Sequence, residues 1–400
     1  MMTAAGCRSK DKVTVIKGPG TANSSHMISF NQFCPGRVEG FTGKELIVSQ
    51  LTGDTMEFYR VDTVTKEKDL LLSTPQKDNY CFMISNDGKK FLYDSYLVDI
   101  GNKKSVNLPV QKEKALSNLQ GACVPNYTFI EDSELVYINP FYYINKYYKK
   151  GLYGLKNINY RNEAPVFMKL GDSGKNLKAP GFSSIDAPDV DFISHGQLLY
   201  RQLKYIFIGH KVSSNETFLY AFDFLTKKFQ LIDSNVQSFF TAPNNTKIAY
   251  VKKTSGEKPE KKLITAGIDG KKEKELKTFQ EISAVAWSAD GEWIAFSGGE
   301  KSKNDLYIIK SDGTSEEQLT EGMNPTGNIA WSETGAEIAF SSSSNDLAGI
   351  QTVFIIKMNM KTGAAVESPI QDYETKDMAN KLIDIIRMET NEITNAKIIQ

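Results

Sequence analysis

The 400-residue sequence predicts an all-β fold, a seven-bladed β-propeller, with six- and eight-bladed rings as alternatives. Three observations predict it. Short runs such as "WIAFS" from Trp293 and "DLYII" from Asp305 are aromatic and β-branched, and turn formers bound them, as expected of strands buried on both faces. The stretch "WSADGEWIAFSGG" from Trp287 returns as "WSETGAEIAFSSS" from Trp331, a shift of 44 residues. Earlier copies align Leu46, Phe91, Leu135, Leu198 and Ile248 with Ile294 and Ile338, which makes seven. One antiparallel meander cannot bury two faces alone, whereas several stacked around an axis can, and they leave only short edges.

Each copy has a turn signal shortly before its aligned position: Thr42-Gly43, Asp87-Gly88, Asp132-Ser133, His195-Gly196, Asn244-Asn245, Asp290-Gly291 and Thr334-Gly335. Gly accepts positive φ at no steric cost, and Asp and Asn tolerate it, so these pairs predict tight hairpin turns. The spacing is near 45 residues except between Leu135 and Leu198, where an extra stretch reads as an insertion in the third blade.

From the N-terminus, residues 1–11 read as a flexible lead, 12–370 as the propeller and 371–400 as an extension. Ala4, Ala5 and Gly6 before Cys7 resemble the end of a bacterial lipoprotein signal, making Cys7 a candidate lipidation site. Ala4 stands where that signal carries a larger aliphatic residue, and the alternative is an ordinary thiol in a loose terminus. "KVTVIKG", from Lys12 to Gly18, is expected to complete the last blade and close the ring. At the other end Met378, Leu382, Ile385 and Ile386 share one helical face and predict a short helix, with a hairpin through "LIDIIRM" and "ITNAKII" as the rival.

Composition narrows the function. Lys plus Arg and Asp plus Glu number 48 each, so no global field favours nucleic acid or an anionic surface. No apolar run is long enough for a membrane-spanning helix. Cys34, Cys81 and Cys123 lack metal-ligand spacing and read as small buried hydrophobes. No G-x-S-x-G elbow, phosphate loop, H-E-x-x-H helix or EF-hand loop occurs, so no catalytic residue, metal or cofactor is assigned. Of His26, His195 and His210, His195 reads as a turn residue. Asp186, Asp189 and Asp191 offer oxygen atoms of the kind Ca²⁺ prefers, and their ordinary role is to be solvated.

The most unusual composition lies in the third-blade insertion, Tyr137 to Tyr160. There Phe141, Tyr142, Tyr143, Tyr147, Tyr148 and Tyr153 crowd among Asn and Lys. Tyr supplies large contact area with a polar tip and little rotamer entropy to lose, so these six are the candidate binding residues. The competing reading is that they fill outer strands, although adjacent Tyr pairs in a strand face opposite sides. The lysines between Val251 and Lys277 read as protectors of sheet edges.

"WSADGEWIAFS" followed by "DLYIIKSDG" and "QLT" resembles the WD-repeat-like propeller repeat of TolB and of prolyl-oligopeptidase-type enzymes, closely over residues 280–345. The family's Pro before Asp-Gly is replaced by Ala289 and Asn86. The resemblance implies an interaction scaffold. A Tol-type role is not carried over, because no counterpart of the N-terminal mixed domain of TolB is evident. The expectation is therefore a monomeric, non-enzymatic, extracytoplasmic lipoprotein that binds a protein or an envelope glycan. The alternatives are an enzyme with a metal-assisted hydrolase or lyase site in the central channel, and a cytosolic adaptor.

Overall fold

The computed structural model describes residues 26–107 and 190–360, each with short breaks, and residues 127–130, 135–138, 166–168 and 176–178. The described residues form 28 strands and no α-helix. β1 (Met27–Pro35) is followed by an antiparallel sheet of β2 (Arg37–Thr42), β3 (Glu45–Thr52), β4 (Thr55–Asp62) and β5 (Lys68–Pro75). The next sheet is β6 (Phe82–Ile84), β7 (Lys90–Tyr93), β8 (Tyr96–Asp99) and β9 (Lys104–Asn107). Two strand pairs come next, β10 (Tyr127–Ile130) with β11 (Leu135–Ile138) and β12 (Val166–Met168) with β13 (Asn176–Lys178). Four-stranded sheets resume with β14 (Phe192–Leu199), β15 (Lys204–Lys211), β16 (Glu216–Asp223) and β17 (Lys228–Ser234). They continue with β18 (Val236–Thr241), β19 (Lys247–Lys253), β20 (Lys261–Gly267) and β21 (Lys274–Phe279). β22 (Glu281–Trp287), β23 (Trp293–Glu300), β24 (Lys303–Lys310) and the two-residue β25 (Glu317–Gln318) make another. The last sheet, β26 (Pro325–Trp331), β27 (Glu337–Ser343) and β28 (Gln351–Met358), takes β1 as its fourth strand.

Six sheets are thus four-stranded, and in five the strands follow chain order. The chain divides into two compact units. The first comprises residues 1–77, 239–266 and 272–367, and the second residues 78–238, 267–271 and 368–400. The first unit shows why the apolar runs are continuous. Ile338 and Phe340 of β27 pack against Trp293, Ala295 and Leu306 of the preceding sheet. Ala339, between them, packs against Val38, Leu46 and Val48 instead. Alternate residues of one strand therefore meet different neighbours, and neither face is left to water. Trp293 through Gly299 is buried without a break.

The copy alignment holds at six of seven positions. Leu46, Phe91, Leu135, Ile248, Ile294 and Ile338 all lie on the second strand of their sheet or pair. The fourth copy is corrected. Leu198 is on a first strand, and fully buried Tyr205 of β15 holds the equivalent place. His195-Gly196 is accordingly not a turn but a bulge inside β14, between Ser194 and Gly196. A bulge and a tight turn use the same positive φ, so one dipeptide served either reading. With Tyr205 in register, second strands recur every 43 to 46 residues, apart from 70 between Leu135 and Tyr205.

Two further expectations change. The Asp-Gly turn before Ile294 is a four-residue connection rather than a tight hairpin. Ser288 N donates to Trp293 O at 2.9 Å and Gly291 N to Ser288 O at 2.9 Å, with Gly291 at φ 69°. The Asp290 carboxylate accepts from Ser288 Oγ at 2.6 Å and from Glu292 N at 3.0 Å, and these bonds hold the longer loop. Ser85, Asp87 and Gly88 repeat the arrangement. The edge of the last sheet is filled by Met27–Pro35, with Phe30 opposite Ile356, and not by Lys12–Gly18, which lies outside the described residues. Phe30 stacks on Phe354 at 5.3 Å, giving this later segment the aromatic anchor for that edge. The proposed C-terminal helix also lies outside the described residues.

Candidate functional site

Register shifts occur on first strands and also on the outer strands β1, β5, β17 and β21. β2, β14, β22 and β26 each carry a register shift, at Glu39, His195, Ser283 and Gly327-Asn328 respectively. Bulges re-aim side chains, so these positions are where chemistry can be presented.

In the first unit the bulges of β2 and β26 meet. The Glu39 side chain is fully shielded from solvent. One carboxylate oxygen accepts from Ser49 Oγ at 2.6 Å, and the other accepts from Asn328 Nδ2 at 3.1 Å. Arg37 Nε lies 3.8 Å from Glu39 Oε1, and its side chain is 35% exposed. Gly327, at φ 72°, makes room for it: a Cβ there would sit 2.6 Å from Arg37 Nε. A buried carboxylate is tolerable only with such donors, so the cluster fastens one first strand to the next. Beside it Ser341 Oγ accepts from Val38 N at 2.7 Å, a further hydrogen bond between the same two sheets, after that of Asn328 to Glu39.

Other polar groups in this unit serve the fold in the same way. Trp287 Nε1 donates to Phe240 O at 3.0 Å, and one repeat later Trp331 Nε1 donates to Ala286 O at 3.2 Å. Asp305 accepts from Thr320 Oγ1 at 3.0 Å and Met323 N at 3.1 Å, pinning the segment that follows the very short β25.

The second unit holds a different arrangement, two of the three histidines on adjacent strands. His210 of β15 pairs with Phe192 of β14, and His195 is the bulged residue of β14 just beyond Ser194. His195 has φ 50°, a left-handed conformation that costs a residue with a β-carbon about 1 kcal/mol. The following glycine fixes the bulge. A Cβ on Gly196 would lie 1.6 Å from the Tyr205 phenol oxygen, so only glycine lets that buried ring lie against the strand. Burial pushes the His210 pKa down to about 4, and His195 nearby adds to the shift. The His195 pKa is lowered by desolvation too, although its side chain reaches solvent. Solvent on one side and dense protein on the others account for both observations. The pair is neutral at pH 7, the form in which imidazole accepts a proton or ligates a metal.

Phe141, Tyr142, Tyr143, Tyr147, Tyr148, Tyr153, Cys7, Asp186, Asp189 and Asp191 all lie outside the described residues. Among the described residues no three His, Cys, Asp or Glu side chains are grouped to hold a metal ion. Cys34 is buried, as expected of a small hydrophobe. Sequence reasoning missed the Glu39 cluster and the bulge that holds His195. One usable signal was present: Ser49, Ser297 and Ser341 stand at the same offset after Leu46, Ile294 and Ile338.

No family model matches the chain, and no curated protein does. Solved structures do resemble it. An oligogalacturonate lyase in complex with manganese is 12% identical, with 84% of this chain and 94% of that chain covered and a TM-score of 0.53. An oligogalacturonate lyase from Vibrio parahaemolyticus is 14% identical over 84% and 92%, with a TM-score of 0.51. TolB from Acinetobacter baumannii is 11% identical over 85% and 66%, with a TM-score of 0.40. TolB proteins and other propeller proteins are thus among the structural neighbours, and at such identities the likeness concerns the fold alone.

Proposed function

We propose that the chain is a non-enzymatic scaffold, a propeller over residues 12–370, that binds a protein or an envelope glycan outside the cytoplasm. The observation that carries this reading is the 70-residue interval between Leu135 and Tyr205, in a chain whose other second strands recur every 43 to 46 residues. A segment added to a regular frame is where binding residues concentrate, because it can vary without disturbing the sheets. Phe141, Tyr142, Tyr143, Tyr147, Tyr148 and Tyr153 fall within it. Cys7 serves in this reading as a lipid anchor, and the protein acts as a monomer.

The test is a pull-down from native envelope extract, with the wild type beside a variant carrying Tyr142→Ala, Tyr143→Ala, Tyr147→Ala and Tyr148→Ala. The expected outcome is loss of a captured protein or glycan in the variant while its melting temperature is unchanged. Identical capture by both proteins would discard the aromatic segment as the contact. Mass spectrometry of the native N-terminus tests the anchor.

A further inference from the structure

We propose that Arg37 anchors a ligand site in the first unit, where its terminal amino groups take a carboxylate in paired hydrogen bonds. The site lies beside the bulges of β2 and β26, and it is independent of the aromatic segment and of the scaffold reading.

The residue type is the first observation. Lysine is the common cation of this chain and arginine the rare one. Lysine serves wherever a solvated charge is enough, whereas a rigid, planar fork is suited to a planar partner. Arg60, in the same sheet, meets such partners within the protein: Asp69 accepts from its Nη2 at 2.7 Å, and Glu45 lies 3.4 Å from its Nε. Arg37 is held differently. Glu39 Oε1 is 3.8 Å from Arg37 Nε, past hydrogen-bond reach, and the Glu39 oxygens accept from Ser49 and Asn328. Glu39 therefore supplies opposite charge beside the guanidinium while its own bonds go to other donors.

The bulge of β26 fixes the other side. Gly327 is exposed, with φ 72°, and a Cβ there would sit 2.6 Å from Arg37 Nε and 3.3 Å from both Cδ and Cζ. The guanidinium thus rests on bare backbone that only glycine leaves open. Arg37 Nε is buried, yet the side chain as a whole is 35% exposed, so solvent reaches it away from Nε. A guanidinium positioned before its ligand arrives loses little rotamer freedom on binding. Its fork matches the two oxygens of a carboxylate. Glu39 then sets the charge that is tolerated. One negative charge shares Arg37 with the buried carboxylate, and a second on the same ligand would be repelled by it, so a dianion such as sulfate is disfavoured.

The experiment is phenylglyoxal labelling of the full chain, read at Arg37 and Arg60 by peptide mass spectrometry. Chloride is replaced at constant ionic strength by acetate, glucuronate, N-acetylglycine or sulfate. At least one carboxylate is expected to slow labelling of Arg37 about threefold or more, saturably, with the Arg60 rate unchanged and sulfate weaker. Stronger protection by glucuronate supports an acidic sugar as the source of the carboxylate, and stronger protection by N-acetylglycine supports a peptide C-terminus. The protecting carboxylate should also raise the melting temperature of wild type and not that of Arg37→Lys, which keeps the charge and loses the fork. The proposal is overturned if no carboxylate protects Arg37, if Arg60 is protected equally, if sulfate protects as well as the carboxylates, or if Arg37→Lys shows the full rise in melting temperature.

Discussion

Ser341 and Ser297 occupy equivalent places one repeat apart, and their replacement by alanine is expected to move stability in opposite directions. Both hydroxyls are fully buried. Ser341 Oγ accepts the Val38 amide at 2.7 Å across the boundary between two sheets. Val38 is itself fully buried, so Ser341→Ala leaves its N–H with neither protein nor water as a partner. An orphaned buried donor costs about 1 to 3 kcal/mol. Against a total stability of roughly 5 to 15 kcal/mol that is a large share. Ser297 Oγ, by contrast, has no hydrogen-bond partner among the described residues, and Ser297→Ala removes a desolvated group without stranding another. That change should be neutral or stabilise by up to about 1 kcal/mol. Urea unfolding of the two variants, followed by tryptophan fluorescence at constant slope, reads the difference directly. Equal destabilisation by both would refute the reasoning, because it would mean that the serine acts through volume or strand propensity and not through its acceptor.

Trp287→Phe deletes the donor to Phe240 O and also shrinks the buried indole to a phenyl ring, so it should lower stability by about 1 to 3 kcal/mol in urea, and a midpoint equal to wild type would deny the indole bond any role. Acid should weaken the protein through its turn aspartates. The Asp62 pKa is held below the ordinary carboxylate range by the amides of Thr65 and Val64. At Asp223 desolvation opposes ionisation, but the hydrogen bonds from Lys204 and Thr226 outweigh it and the pKa is again lowered. A carboxyl with a depressed folded pKa stabilises above its unfolded pKa, about 3.9, and loses that contribution as pH falls towards its folded value. Urea midpoints should therefore fall below about pH 4, less steeply in Asp62→Asn and Asp223→Asn, and an unchanged slope in both would count against these turns.

Much of this fold was legible because its signal is local. A strand buried on both faces must be apolar throughout, as Trp293 to Gly299 is, and a loop capped by its own Asp must carry that Asp near a Gly. Both constraints recur with each repeat, and six aligned positions on six second strands follow from them. The reading slipped at β14 because His195-Gly196 satisfies the local rule for a turn as well as that for a bulge. Only the pairing of Gln197 with Ile206 and of Leu198 with Tyr205 distinguishes the two. Lys12–Gly18 was favoured for the closing edge on strand propensity alone. Propensity carries no information about which segment has Phe30 to lay on Phe354.

The candidate sites were less legible, because each joins residues that no period connects. Glu39 and Asn328 are 289 residues apart, and nothing in either neighbourhood names the other. The sequence by itself determined the β architecture, the repeat length and the place of the one long interval after Leu135, since those depend on hydrophobic period and turn chemistry within a few residues. Tertiary structure decided which strand completes the last sheet, which buried polar atoms find partners, and that His195 sits in a bulge rather than in a turn. Register and burial are properties of neighbouring strands together, and a shift of one residue, such as a single bulge, redirects every side chain that follows it.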